Sequence, residues 1–184
     1  MEANLILKNL YENGVMRLTL NDPKTGNSLS EKMITELSDS FIEIEKNMNI
    51  RVVIVSAIGD IFCSGHNLKE ITNARAQEDK GRNYFLDLFN NCSKLMQSIV
   101  NSPKPVIAEV NGIATAAGCQ LVASCDLAIA SDESNFATPG VNLGLFCSTP
   151  MVALSRNVNK KNAMKMLLTG DMIDSAEAKR ISLI

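Results

Sequence analysis

The sequence predicts an α/β fold of strands alternating with helices, and three observations predict it. Runs rich in β-branched and small apolar residues, at residues 51–55, 106–110 and 125–130, have the length and composition of buried strands. The segments between them space their apolar residues for one face of a helix. The 184 residues, 46% apolar and 21% charged, suffice for a single globular domain with a substantial core. Such alternation points to a layered sheet with right-handed crossovers.

Residues 4–10 and 15–20 read as two strands joined at Asn13-Gly14, a hairpin signal. Asn21-Asp22-Pro23-Lys24 then breaks the sheet. Ser30 is placed to cap a helix whose apolar positions are Met33, Ile34, Leu37, Phe41, Ile44 and Met48. Residues 51–55 follow as a strand buried on both faces. The stretch from Leu68 to Phe85 is polar, with Arg75, Gln77, Glu78, Asp79 and Lys80, and reads as a mobile surface loop. Next comes a helix carrying Phe85, Leu88, Phe89, Cys92, Leu95, Met96 and Ile99, ended by Pro103 and Pro105 before the strand at 106–110. A short helix through residues 121–123 precedes a third buried strand at 125–130, and later helices fit 150–155, 160–168 and 175–180. The sequence shows neither an internal repeat nor a low-complexity linker.

A net charge of −2 without a basic run argues against nucleic acid as a partner. The five cysteines, Cys63, Cys92, Cys119, Cys125 and Cys147, form no C-x-x-C pair, and His66 is the single histidine. The usual zinc patterns therefore cannot be written, and the cysteines read as small core residues in a reducing compartment. No apolar run approaches bilayer length, so no membrane span is expected. Residues 1–10 mix acidic and apolar types without a leader pattern, and the cytoplasm is the expected location.

Chemistry concentrates in two segments. One is Phe62-Cys63-Ser64-Gly65-His66-Asn67-Leu68-Lys69-Glu70; the other is Asn111-Gly112-Ile113-Ala114-Thr115-Ala116-Ala117-Gly118-Cys119-Gln120. Each ends a predicted strand and opens a predicted helix, where backbone N–H groups lack intrahelical partners and the helix dipole is positive. Two such ends facing one point would hold a carbonyl oxygen as negative charge grows on it.

The order of Cys63 to Glu70, then Pro105-Val106-Ile107-Ala108-Glu109-Val110-Asn111-Gly112, then Gly118-Cys119-Gln120-Leu121-Val122-Ala123-Ser124-Cys125-Asp126, resembles the enoyl-CoA hydratase/isomerase (crotonase) superfamily. Phe136-Ala137-Thr138-Pro139-Gly140-Val141-Asn142-Leu143-Gly144 continues the likeness. The resemblance implies ββα units forming a spiral core, an acyl-CoA ligand with no separate cofactor, and a homo-oligomer that is a trimer or a pair of trimers. It implies that the N–H groups of His66 and Ala117 form an oxyanion hole. It also implies that Lys24, Thr25 and Ser28 run beside CoA, and that Gly65, His66, Asn67, Leu68 and Lys69 line its nucleotide and pantetheine, with Lys69 near the adenine.

Two departures accompany the resemblance. Hydratases of this superfamily place glutamates where this chain has Gln120 and Gly140. Glutamine orients water but does not titrate, and glycine does neither; each lost acid–base group costs on the order of 10²–10⁴ in rate. Ordinary hydration is therefore expected to be weak or absent, and Gln120→Glu with Gly140→Glu is expected to restore it. Hydrolysis, decarboxylation and isomerisation stay open, as do a non-catalytic acyl-CoA binder, a regulatory subunit and a structural partner in a mixed oligomer. The chain also stops at Ile184, after Leu167 to Ala178, where the resemblance implies that further helices follow; a shortened domain of residues 1–184 with exposed apolar surface is expected.

Other candidates have plainer readings. A Ser-His-Asp triad through Ser64 or Ser148 lacks a G-x-S-x-G elbow. The Asn111 to Gly118 loop has no Gly-Lys-Ser/Thr and is no phosphate cradle of the Walker type. Glu109, inside an apolar strand, is expected on an exposed face or paired with a neighbour such as Lys104. Asp126 is expected to order the start of its strand.

Overall fold

The computed structural model describes residues 4–184, and residues 1–3, part of the segment read above for a leader, lie outside it. Strands β1 (Ile6–Leu10) and β2 (Val15–Leu20) form the predicted hairpin, with Gly14 at φ 84° in the turn. Helix α1 (Glu31–Lys46) starts at Ser30, whose hydroxyl accepts a hydrogen bond from Met33 N–H at 3.1 Å. Its buried face carries Met33, Ile34, Leu37, Phe41 and Ile44, as predicted. Met48 is an exception: the helix has ended at Lys46, and Met48 is 84% exposed.

Three strand pairs follow. Strand β3 (Val52–Ala57) leads to β4 (Ile61–Cys63), β5 (Val106–Val110) to β6 (Ile113–Thr115), and β7 (Leu127–Ala130) to β8 (Asn135–Ala137). The first member of each pair joins one sheet, in order β1-β2-β3-β5-β7, and the second joins another, β4-β6-β8-β9, where β9 is Ile173–Asp174. Helices α2 (Leu68–Arg75) and α3 (Arg82–Val100) follow β4, α4 (Ala117–Ser124) follows β6, and α5 (Ser148–Asn157) follows β8. Two more helices, α6 (Lys160–Thr169) and α7 (Ser175–Arg180), close the order. The result is the expected spiral of ββα units, with β2, β3, β5 and β7 parallel.

The structure corrects several expectations. Strand β3 buries Val53 and Val55 completely, whereas Val52 and Ile54 are only half-buried. The outer face of this sheet is polar: Arg17 on β2 grips Glu109 on β5 with paired bonds of 2.7 and 2.8 Å, and Thr19 meets Ser56 at 3.0 Å. Glu109 is thus paired, with Arg17 rather than Lys104, and the guanidinium holds its carboxyl below the usual range. Strand β7 is a sheet edge, not a buried strand, and leaves Leu127 62% and Ile129 58% exposed. Asp126 acts as expected, accepting from Val106 N–H at 2.8 Å and so fixing the starts of two neighbouring strands.

The polar stretch after His66 is ordered. Asn67 caps α2 by accepting from the N–H groups of Lys69 and Glu70, and Asp79 accepts from Gly81 and Asn83 ahead of α3. Local side-chain capping lets polar sequence hold a helix that carries little apolar periodicity. Because Ser30 satisfies an otherwise orphaned N–H at a buried helix start, Ser30→Ala should lower stability by about 1 kcal/mol in urea titration, with an unchanged m-value.

Candidate functional site

The centre of the site is the approach of two strand-to-helix junctions. Helix α4 begins so close to β4 that a Cβ on Gly118 would stand 2.1 Å from the Cys63 carbonyl oxygen. A Cβ on Gly65, which has φ +90°, would lie 2.9 Å from the Ala116 Cβ and 3.2 Å from the Ala117 nitrogen. Ala116 itself takes φ 51° and ψ −120°, a conformation a residue with a side chain rarely adopts. Its N–H is anchored on Ala137 O at 2.9 Å, and its distorted backbone sets the direction of the next peptide. Among the described residues, neither His66 N–H nor Ala117 N–H has a hydrogen-bond acceptor.

A third loop is bound alongside. Leu29 N–H donates to Gly65 O at 2.8 Å, and Ser64 N–H to Gly26 O at 3.0 Å. The organiser is Asn27, fully buried at φ 50°, which donates to Ile58 O and Ile61 O and accepts from Asp22 N–H. This places Lys24 and Thr25 exposed beside the His66 junction. Ser28 differs: it is buried, and its hydroxyl donates to Thr25 Oγ1 at 3.0 Å. Asn67 is likewise spent on its cap, while Leu68 and Lys69 are exposed on the first turn of α2.

Four buried side-chain atoms lack hydrogen-bond partners among the described residues: both ring nitrogens of His66, Gln120 Oε1 and Thr138 Oγ1. Thr138 follows the β8 residue that binds Ala116, and Gln120 lies one turn along α4 from Ala117, so all four belong to the segments around the junction. Gln120 is 7% exposed and Thr138 is fully buried. An unpaired buried polar atom costs about 1–3 kcal/mol, so the grouping is a concentrated expense in one place. Sequence reasoning missed Thr138, Asn27 and Ala116. A threonine before Pro139 and an asparagine after Gly26 are ordinary turn residues until the backbone around them is known.

The His66 ring packs edge-on against Phe89, with centroids 5.5 Å apart. Burial lowers its pKa. Ser64 donates to Thr25 O rather than meeting an imidazole, so no serine triad forms there. Cys63, Cys119 and Cys125 are core residues whose thiols burial pushes up to about 12.

Gly140 opens a different question. It sits in the 3-10 turn Pro139–Leu143, and its N–H donates to Cys147 Sγ at 3.3 Å. A Cβ there would stand 2.7 Å from that sulfur and 2.8 Å from the Leu145 carbonyl oxygen. A glutamate introduced at residue 140 together with Gln120→Glu would therefore have to displace sulfur or backbone where its side chain begins.

Two predictions follow from this geometry. Gly140→Glu should destabilise the fold by about 1–3 kcal/mol in denaturant titration, the usual penalty for overpacking. For His66, the depressed native pKa means that the unfolded chain binds a proton first. Stability is thus full above the unfolded value of 6.5 and falls as pH drops from there toward the native pKa. Urea midpoints measured between about pH 7 and 5 should show this decline, and His66→Phe should remove it.

The sequence pattern of the enoyl-CoA hydratase/isomerase family matches residues 11–184. The enoyl-CoA hydratase domain-containing protein 3 of Xenopus laevis is 54% identical over 167 residues, covering 91% of this chain and 55% of its own length. Its human counterpart is 52% identical over 165 residues, covering 90% and 53%. The chain thus spans about half the length of these curated relatives. A crystal structure of an enoyl-CoA hydratase from Mycobacterium smegmatis superposes with a TM-score of 0.92 at 48% identity, covering 98% of this chain and 68% of that one. Human enoyl-CoA hydratase domain-containing protein 3 superposes with a TM-score of 0.90 at 48% identity, covering 98% and 69%. Both curated relatives are named as mitochondrial, which overturns the expected cytoplasmic location; a folded domain's composition does not encode its address. With the family pattern, the spiral of ββα units and these likenesses in agreement, the chain belongs to the enoyl-CoA hydratase/isomerase family of the crotonase superfamily.

Proposed function

We propose that the chain binds acyl-CoA thioesters and receives the thioester oxygen on the N–H groups of His66 and Ala117. The observation that carries this reading is that, among the described residues, both N–H groups lack acceptors at two junctions packed backbone against backbone. Backbone donors in such a place stabilise an enolate or a tetrahedral oxyanion without reorganising, and one donor is worth about 10²–10³ in rate where chemistry occurs. Lys24 and Lys69 are exposed cations on the flanking loops, suited to the phosphates of CoA. The remaining loop residues contribute through the backbone they hold in place. Gln120 Oε1, buried and unpartnered, accepts a hydrogen bond from a water or a ligand group beside the acyl chain.

Binding without hydration is the second reading, and Gly140 favours it. Gln120 does not titrate, no carboxylate fits at residue 140 without displacing its neighbours, and burial raises the Cys147 thiol. Hydrolysis, decarboxylation and isomerisation each use the same oxyanion donors and remain within the proposal. Self-assembly into trimers is proposed as well, supported by apolar exposure at Leu127 and Ile129 on the β7 edge.

Calorimetric titration with crotonyl-CoA against free CoA tests the reading, together with an assay for hydration of the bound thioester. The expected outcome is tighter binding of the thioester with hydration reduced at least about 10²-fold relative to a two-glutamate hydratase. Equal affinity for CoA and crotonyl-CoA would remove the oxyanion site from the account.

A further inference from the structure

A cavity of about 670 Å³ lies between α3, α4 and α5, with Gln120 in its lining. Its floor is apolar, made by Cys92, Met96 and Ala123. Its walls are not: Ser93 and Gln97 line it from α3, and Thr149 and Arg156 from α5. A chamber for plain hydrocarbon needs no such groups, whereas polar side chains placed in an apolar pocket fix the orientation and chemistry of what enters. Arg156 makes no ion pair with any described residue. The acidic residue at the same end, Asp126, has Oδ2 committed to Val106 N–H at 2.8 Å. Asn157, its other polar neighbour, spends its amide on Ala123 O and Ala153 O. Arg156 is therefore the one cation in this lining, and among the described residues it is unpaired.

We propose that this cavity takes the acyl chain of a thioester whose far end carries a carboxylate, and that Arg156 recognises that carboxylate. The inference rests on the thioester reading above, because Gln120, one turn along α4 from Ala117, lines the cavity. The guanidinium fork matches a carboxylate with paired hydrogen bonds, which a methyl end of the same length does not offer. From Thr149 to Arg156, both in the lining, the helix rises roughly 10 Å, which suits a carboxylate at the end of a medium-length chain. The apolar floor covers the methylenes between.

The test is calorimetric titration of the full chain with CoA monothioesters of the eight- and twelve-carbon dicarboxylic acids, each against the fatty acyl-CoA of equal length. Crotonyl-CoA serves as the reference for the thioester site. At least one dicarboxylic thioester should bind about tenfold more tightly than its fatty counterpart, the effect of a charge-assisted pair. Arg156 is exposed in the last turn of α5, so Arg156→Gln should keep the fold by circular dichroism. It should erase the preference, with the loss falling on the dicarboxylic thioester. Equal or weaker binding of both dicarboxylic thioesters, with crotonyl-CoA still bound, overturns this inference and leaves the thioester reading standing. A preference that survives Arg156→Gln overturns the assignment to Arg156. Failure of every thioester, crotonyl-CoA included, overturns both.

Discussion

Where α4 leaves β6, its first turn lies against the Cys63 carbonyl so closely that Gly118 has no room for a Cβ, and the same is true of Gly65 against Ala116. Most of what distinguishes this site depends on that approach of backbone to backbone. It brings two helix starts from different ββα units together, and each contributes an N–H that the fold leaves unused. The unusual torsion angles of Ala116 are tolerated because Ala137 O holds its N–H on one side and α4 continues on the other. Any side chain inserted at Gly118 would push α4 away from β4 before it altered the chemistry.

The polar atoms around this contact are a further load on the fold. Buried hydrogen-bonding groups are nearly always satisfied, and leaving several unsatisfied in one place lowers stability. Two features offset the cost nearby. Asn27 satisfies three backbone groups from within a buried loop, and the core formed by α1, α3 and the first sheet is continuous beneath it. The loop of Lys24 and Thr25 is thereby held on the surface by an amide that never touches solvent. The site is positioned by residues that the motif does not contain.

Much of the fold could be read from residues with strong local meaning. Asn13-Gly14 gave the hairpin, Ser30 the start of α1, and the spacing from Leu88 to Ile99 the buried face of α3. The second sheet could not be read, because β4, β6 and β8 have three residues each, too few for alternation to show. The extent of helix α2 was hidden for another reason: a helix start was expected after His66, but only Ala74 is buried, so no apolar stripe marks its course. At the site, the segments carrying His66, Ala117 and Gln120 were visible because their order along the chain resembles a family. Thr138, Asn27 and the strain at Ala116 were not, since each gains meaning from a neighbour distant in sequence. Burial of β7 was misjudged because an apolar run looks the same at a sheet edge as at its centre.

The packing of Cys147 against Gly140 has a historical implication. A chain with this turn cannot acquire an acidic side chain at residue 140 by one amino-acid change without crossing a less stable intermediate, because the Leu145 carbonyl blocks the entry as firmly as the sulfur does. Replacing Cys147 first would remove one obstacle and leave the other. Reaching a two-carboxylate site from here requires the loop between Gly144 and Cys147 to be redrawn together with residue 140. The turn thus couples residue 140 to the loop that follows it, and sequence change at one is constrained by the other.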